Sequence, residues 1–390
     1  MKNRFLALLL VGTLAFSFTA CGSKEEDKAE TKTEQSADTE KKSDAKPIEY
    51  DVDELVTLGD YKGLDITLDG EYEYTDKGFD EYVSKTISEA AIYVEDSSAK
   101  EIKEDSIVNV DYVGSQDGVA FDGGSAEDQL IDVGNNSSAT GGGYIEGFTA
   151  GLVGHKVGEE VAYEVKFPDD YGNADLAGQT VIFTFQVNYI AKAIDSKKAL
   201  TDDIVSDKFG YDTVDAYIDS LKDKYTASLE NNLKSDKQTT VLNAVLNNSK
   251  VSKVPEDLLQ ARVDMYLNVY EKQYQSYGTT AKEYFESMGQ DYDAYVESMK
   301  TSIQESTETE LILEAIAKAE GIEIDEDGYK EFIQGILSSS GASDETSFYE
   351  VYDVDGYTGE RYFRQAYLTQ KALDFCIDNA SYTGAPAVAE

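Results

Sequence analysis

The chain of 390 residues has no tryptophan, one histidine and two cysteines. Two cysteines, Cys21 and Cys376, cannot build a disulfide framework. His155 stands alone in the run GHKVGE, with no patterned nucleophile or acid beside it, so a structural role is expected of it. Cationic residues are scarce: 34 Lys and Arg face 77 Asp and Glu, giving a formal net charge of −43, which argues against nucleic acid or anionic lipid as partners. No ATP motif is present, so any holding and release of a partner would run on binding equilibria. Metal loops fail as well. Asp353-Val354-Asp355-Gly356 and Asp325-Glu326-Asp327-Gly328 hint at Ca²⁺ loops, but an EF-hand needs Glu six residues after its glycine, where this chain has Tyr362 and Gln334. Both read as solvated turns, and no metal or cofactor is expected. What remains in quantity is aromatic and amphipathic: 28 Tyr and 15 Phe.

Long apolar runs are also missing, apart from one near the start. Lys2 and Arg4 precede the run Phe5 to Phe16, which is too short to span a bilayer and reads as the core of a secretory signal over residues 1–20. Phe18-Thr19-Ala20-Cys21-Gly22 resembles a lipobox, with Phe18 where Leu is more usual. That resemblance implies cleavage before Cys21 and a diacylglycerol on it, placing the chain outside the cytoplasm on the bacterial cell membrane. The alternative is an ordinary cleaved signal. Cys376 lies on an apolar helical face, so a buried, inert thiol is expected there. Residues 21–49 are dominated by Lys, Glu, Asp, Ser, Thr and Ala, which cannot bury enough apolar surface to offset ordering; they read as a disordered tether.

The informative stretch is 101–191. Val108, Val110 and Tyr112 alternate with polar residues, as a half-buried strand does. Asp117-Gly118 then signals a hairpin turn, because Gly accepts positive φ at no steric cost. Tyr144 to Val153 has the spacing of a short helix, with Ile145, Phe148 and Leu152 on one side. Val161, Tyr163 and Val165 alternate again, and so do Val181, Phe183, Phe185 and Val187. Asn136-Ser137-Ser138 matches a glycosylation acceptor but reads as plain loop.

The ordered motifs VDYVG, DGVAFDGG, YIEGFTAGLVGHKVGEE, FPDDYG and FTFQV resemble an FKBP-type peptidyl-prolyl isomerase domain, in particular that of the bacterial chaperone trigger factor. The resemblance implies an α+β fold: an antiparallel half-barrel wrapped around a short helix, with an apolar pocket between them. It also implies the pocket residues: Tyr112, Phe121, Asp122, Ile145, Phe148, Tyr171 and Phe183. Phe148 would be the floor, Asp122 and Tyr171 rim groups, and the Ile145 backbone N–H the holder of the substrate carbonyl. Two departures bear on substrate binding. Gln129 stands where an aromatic is usual, and NNSSATGGG, residues 135–143, is longer than the usual loop before the helix. Aromatics with no nucleophile suit the chemistry, since isomerisation needs only rotation about an amide. For Phe121 and Phe183 ordinary core packing is the competing reading.

Around this domain the sequence predicts a strand through Leu64, Ile66 and Leu68, then a helix capped by Thr75, together a segment 50–98 packing on the C-terminal domain. In trigger factors a ribosome-docking domain with a basic loop would precede it; none is seen here, and no ribosome docking is expected. After the isomerase domain (99–194), residues 195–382 read as helical, with a tail at 383–390. The helices are expected from Val214 to Leu246, after Val254-Pro255, over Phe285–Met299, Leu311–Ala319 and Tyr329–Leu337, and over Tyr362–Ile377. This region resembles the all-helical C-terminal chaperone domain of trigger factors. Tyr266, Tyr270, Tyr274 and Tyr277 form a stripe that reads either as a client-contact surface or as helix–helix core.

Together these readings predict a membrane-anchored isomerase and chaperone for unfolded or nascent secreted polypeptides containing X–Pro bonds. Two others remain: a holdase whose FKBP pocket is catalytically weak, and an envelope binding or adhesion lipoprotein.

Overall fold

The computed structural model describes residues 45–384. The expected signal, Cys21, most of the tether and residues 385–390 lie outside the described residues. In chain order the elements are α1 (Val52–Leu55), β1 (Val56–Thr57), β2 (Asp65–Thr67), α2 (Asp76–Glu89), β3 (Tyr93–Glu95), β4 (Ile107–Gln116), β5 (Val119–Asp132) and β6 (Ser137–Ser138), then β7 (Glu160–Lys166), β8 (Thr180–Ala193), α3 (Asp202–Phe209) and α4 (Val214–Asn248). They continue with β9 (Lys250–Val251), α5 (Glu256–Ser276), α6 (Ala281–Ser287), α7 (Tyr292–Glu320), α8 (Glu326–Ser340), α9 (Glu345–Glu350), α10 (Gly359–Asp378) and β10 (Ser381–Thr383). The fold is α+β, and the chain divides into two compact units: Glu73–Leu229, and the described residues on either side of it. The division falls inside the 50–98 segment, which reads as one piece in the sequence.

The first unit holds a six-stranded sheet in the order β3-β8-β4-β5-β6, with β7 also on β8. Every pairing in it is antiparallel. Strand β8 is long enough to take β7 along Thr180–Gln186 and β3 along Ala191–Ala193 on one side, and β4 on the other. Its alternation fixes the register: Val181, Phe183, Phe185 and Val187 are buried while Ile182 between them is exposed. Asp117 and Gly118 both take positive φ, 52° and 81°, closing the β4–β5 hairpin with Gln116 opposite Val119, as their type I′ signature predicts. Helix α2 starts where Thr75 accepts the Gly78 N–H at 3.0 Å. Its Val83 and Ile87 bury against Leu200, Val205, Tyr217, Ile218 and Leu221.

In the second unit β2 pairs in parallel with β10, Ile66 opposite Tyr382. Leu64, Ile66 and Leu68 pack on the later part of α4, on α7 and on α10, where Cys376 is fully buried. Cys376 has no disulfide partner among the described residues, and burial pushes its thiol up to about 12, so it stays a protonated thiol at neutral pH.

Several local expectations are corrected. The short helix expected over Tyr144–Val153 is a single 3-10 turn, Ala150–Leu152, because Gly147 takes φ +83° and breaks the path. The helices expected over Phe285–Met299 and Leu311–Ala319 are redistributed: α6 takes Phe285–Ser287 and ends before Gly289 (φ +71°), Asp291 caps α7 through the Ala294 N–H, and α7 then runs unbroken from Tyr292 through the second span. Helix α9 has no counterpart among the expected helices. Nor has β10, whose last residue, Thr383, falls in the expected tail. Of the two acidic runs expected as turns, Asp353–Gly356 is one, with Asp353 accepting the Gly359 N–H, whereas Glu326–Gly328 form the first turn of α8, capped by Asp325, which also accepts from Lys371 and Tyr367.

Candidate functional site

One face of the sheet carries a box of aromatic rings. Strand β4 brings Tyr112, β5 brings Phe121, and β8 brings Phe183 and Phe185. The turn leading into the 3-10 segment lays Phe148 across them. Phe148 meets Tyr112 at 5.1 Å, Phe183 at 4.8 Å and Phe185 at 5.1 Å between ring centres, all near edge-to-face. Phe121 meets Phe183 at 6.0 Å in the same manner. These geometries suit the quadrupoles of the rings and hold the box rigid.

Two close approaches shape it. Gly114 faces Phe121 and Phe183, and a Cβ there would sit 2.5 Å from the first ring and 2.7 Å from the second. Gly151 lies against Tyr163, whose ring a Cβ would meet at 2.4 Å. Tyr163 in turn donates to the Phe148 carbonyl at 2.5 Å and stacks on Phe185. The floor residue is thus pinned to β7 through its own backbone. Gly151→Ala is expected to push Tyr163 away, cost about 1–3 kcal/mol of stability and loosen the floor; a denaturant melt of the variant against wild type checks this.

A polar brace sets the bend of the sheet beside the box. Buried Asn109 donates to Asp128 at 2.8 Å and accepts from Asn188 at 3.0 Å, while Asp111 accepts the Asp128 N–H at 2.8 Å. Asp128 (φ +56°) sits at the break in β4–β5 register between Val110 and Tyr112, which re-aims Tyr112 into the box. A second brace is Asn136. Its amide group donates to the carbonyls of Tyr144 and Ile145, and its carbonyl oxygen accepts the Thr149 N–H. This fixes the segment entering the floor. The Ile145 N–H has no partner among the described residues.

Of the residues named from the sequence, Tyr112, Phe121, Phe148 and Phe183 come together directly, with Ile145 packed against the same core. Tyr171 joins at one remove: it touches Phe167 at 4.6 Å, which touches Phe121 at 6.0 Å, and it is 38% exposed. Asp122 is exposed at the rim. Gln129 turns its amide to the Glu127 carbonyl on its own strand. Sequence reasoning leaves out Phe167, Phe185, Tyr163 and Tyr144 as site residues; the period-two pattern of β7 and β8 carries the signal for Tyr163 and Phe185. Burial pushes the phenols of Tyr112 and Tyr144 up, so both stay protonated and able to donate. His155 pairs with Glu159 in a turn away from the box, Nδ1 to Oε2 at 3.0 Å.

The tyrosine stripe along α5 and its C-cap is half-buried as far as Tyr274. Tyr266 stacks on Tyr270 at 4.9 Å, and Tyr274 stacks on Tyr284 of α6 at 4.7 Å. Only Tyr277 of the four is strongly exposed, at 73%.

A nucleophile-free aromatic box on one face of an antiparallel sheet fits an FKBP-type domain, and this is the part of the chain that matches that family. Residues 98–188 match the family described as FKBP-type peptidyl-prolyl cis-trans isomerase. Residues 213–378 match that described as Bacterial trigger factor protein (TF) C-terminus. The chain therefore has an FKBP-type domain and a domain of the trigger-factor C-terminal type, and trigger factors are among its relatives; it spans less than two thirds of the length of the first of these. It is 33% identical to Trigger factor of Halothermothrix orenii over 269 residues, 69% of this chain and 60% of that one. It is 29% identical to Trigger factor of Clostridioides difficile, covering 83% of this chain and 72% of the relative, and 32% identical to that of Streptococcus suis, covering 73% and 64%. A solved structure of the trigger factor chaperone aligns with TM-score 0.37 and 15% identity over 83% of this chain and 72% of that one.

Proposed function

We propose that the chain catalyses cis–trans isomerisation of X–Pro bonds and holds unfolded polypeptides while it does so. The carrying observation is the box of Tyr112, Phe121, Phe148 and Phe183. Rotation about an X–Pro bond breaks amide resonance and lowers charge separation across C–N, so an apolar pocket favours the twisted form over the planar one. Binding that is tighter for the twisted form is catalysis, without covalent chemistry. The Ile145 N–H, which has no partner among the described residues, would hold a substrate carbonyl, and no ionisable group need change state. The helical unit supplies a holding surface around Tyr277, Tyr284 and Met288, which are exposed at the α5–α6 end.

The reading extends to location. The basic start, apolar run and lipobox-like Phe18–Gly22 support a lipid anchor at Cys21, with the acidic tether holding the body off the membrane and secreted proteins as clients. Among the described residues no helix is long and apolar enough to cross a membrane.

The test is catalysed isomerisation of a short peptide with a hydrophobic residue before Pro, beside suppression of aggregation of an unfolded client. Turnover above background with delayed aggregation is expected. Absence of both overturns the proposal. Delayed aggregation without turnover moves the chain to the second reading, a holdase with a weak pocket, which Gln129 and the 135–143 loop favour.

A further inference from the structure

The floor of the box is not open. Phe148 is only 3% exposed, and the ring lying on it is that of Tyr144, at 4.4 Å between centres and 24° between planes. It is the only parallel stack Phe148 makes among the described residues; its other ring contacts are edge-to-face. A prolyl ring packed against the floor needs that same face. We propose that Tyr144 is a self-occluding gate of this pocket, which a prolyl ring must displace before it can sit on Phe148. The proposal rests on the isomerase reading for its ligand, a peptide with an internal proline.

The backbone around Tyr144 says how the gate moves. The Tyr144 N–H donates to the Asn136 carbonyl at 2.9 Å, and the Asn136 amide group holds the carbonyls of Tyr144 and Ile145 at 3.2 and 2.9 Å. The peptide units on both sides of the gate are thus fixed, and the free Ile145 N–H stays in place. The side chain itself is half-buried and carries no hydrogen bond from its hydroxyl among the described residues. Opening is therefore a rotation of one ring toward solvent, with the binding backbone left preorganised. Upstream, Gly141 and Gly142 take φ of +119° and +90°, conformations that bring the long 135–143 loop back to the floor so that Tyr144 can reach it. A gate closed for most of the time lowers apparent affinity by the open fraction. Stacking of this kind biases closure by about threefold to tenfold.

The test uses the full chain and the peptide Ala-Leu-Pro-Phe with blocked ends. Its Kd is measured by NMR titration for wild type, Tyr144→Val and Tyr144→Phe, beside isomerisation kinetics. Tyr144→Val is expected to bind about threefold to tenfold more tightly than wild type, with KM falling in step, while Tyr144→Phe, which keeps the stack, stays weak. Equal or weaker binding by Tyr144→Val overturns the gate and makes Tyr144 an ordinary pocket wall. Tighter binding without turnover in any chain upholds the gate and overturns the isomerase reading. Turnover with unchanged Kd does the reverse, and no binding by any of the three removes both. Should valine disturb the fold, as shown by a lowered melting temperature, Tyr144→Leu repeats the comparison.

Discussion

Phe148→Ala is expected to lose about 3–5 kcal/mol of stability in the pocket-bearing unit, the usual cost of emptying a buried aromatic site. Phe148 is almost fully buried and touches Tyr112, Phe183, Phe185 and Tyr144. These partners cannot collapse inward to fill the gap, since Phe183 and Phe185 are fixed in the centre of β8. In the fraction that stays folded, kcat/KM for X–Pro isomerisation should fall about tenfold or more, each tenfold standing for about 1.4 kcal/mol of lost contact with the twisted amide. Phe148→Leu separates the two effects. It keeps most of the volume, so its stability loss should stay under about 1.5 kcal/mol, yet it removes the flat face. Leucine restoring both stability and turnover would show that the site needs bulk and not a ring. The pair is read by urea midpoints and by peptide kinetics at low temperature.

Arg262→Ala should cost a comparable amount, about 3–5 kcal/mol, in the helical unit. Arg262 lies on α5 with its guanidinium inside the protein, 4.7 Å from the centre of Tyr357 and 4.4 Å from that of Tyr362. Its Nη2 donates to Glu310 of α7 at 2.5 Å and to Gln365 of α10 at 3.2 Å. Burial alone would lower its pKa, but the charge of Glu310 and the oxygens of Tyr357, Tyr362 and Tyr50 outweigh it, and the group stays protonated. Burial likewise holds Glu310 above the usual carboxylate range, with Arg262 pulling against it. Removing the cation leaves that carboxylate with no counter-ion in a place water reaches poorly, which is why loss of one partner costs more than the pair contributes. Nε and Nη1 have no partner among the described residues, and Arg262 borders a cavity of about 20 Å³ with Ser306 and Thr307, enough for one bridging water. The double change Arg262→Met with Glu310→Gln should therefore recover most of the loss. A double variant as unstable as Arg262→Ala would mean that the aromatic sandwich, and not the buried charge, sets the cost. Denaturant titration of all three chains decides it.

Much of the pocket is legible without coordinates. Alternation in Val108–Tyr112 and Val181–Val187 marks two strands and their inward faces, because strand side chains repeat every two residues. Asp117-Gly118 marks the hairpin. Ordered motifs mark the sheet domain and four of the rings that meet. The 144–153 helix is misplaced because its apolar spacing fits a helix while Gly147 denies the path, and spacing alone does not weigh a backbone angle. The break at Gly289 is readable: a glycine followed two residues later by aspartate is a stop and then a cap. The tyrosine stripe cannot be resolved from spacing, since half-buried packing and an open surface use the same residues at the same intervals.

Sequence by itself determined the local terms: which residues turn, cap and alternate, the absence of any patterned catalytic nucleophile, and the two domain types. Tertiary structure decided everything that joins distant parts of the chain. It paired Ile66 with Tyr382, buried Arg262 between two tyrosines, hung Phe148 from Tyr163 and laid Tyr144 over the floor. The physical reason is range. Turn, cap and period energies act over a few neighbours and leave their mark in spacing, whereas a stack or a buried charge depends on which surfaces the whole fold brings into contact.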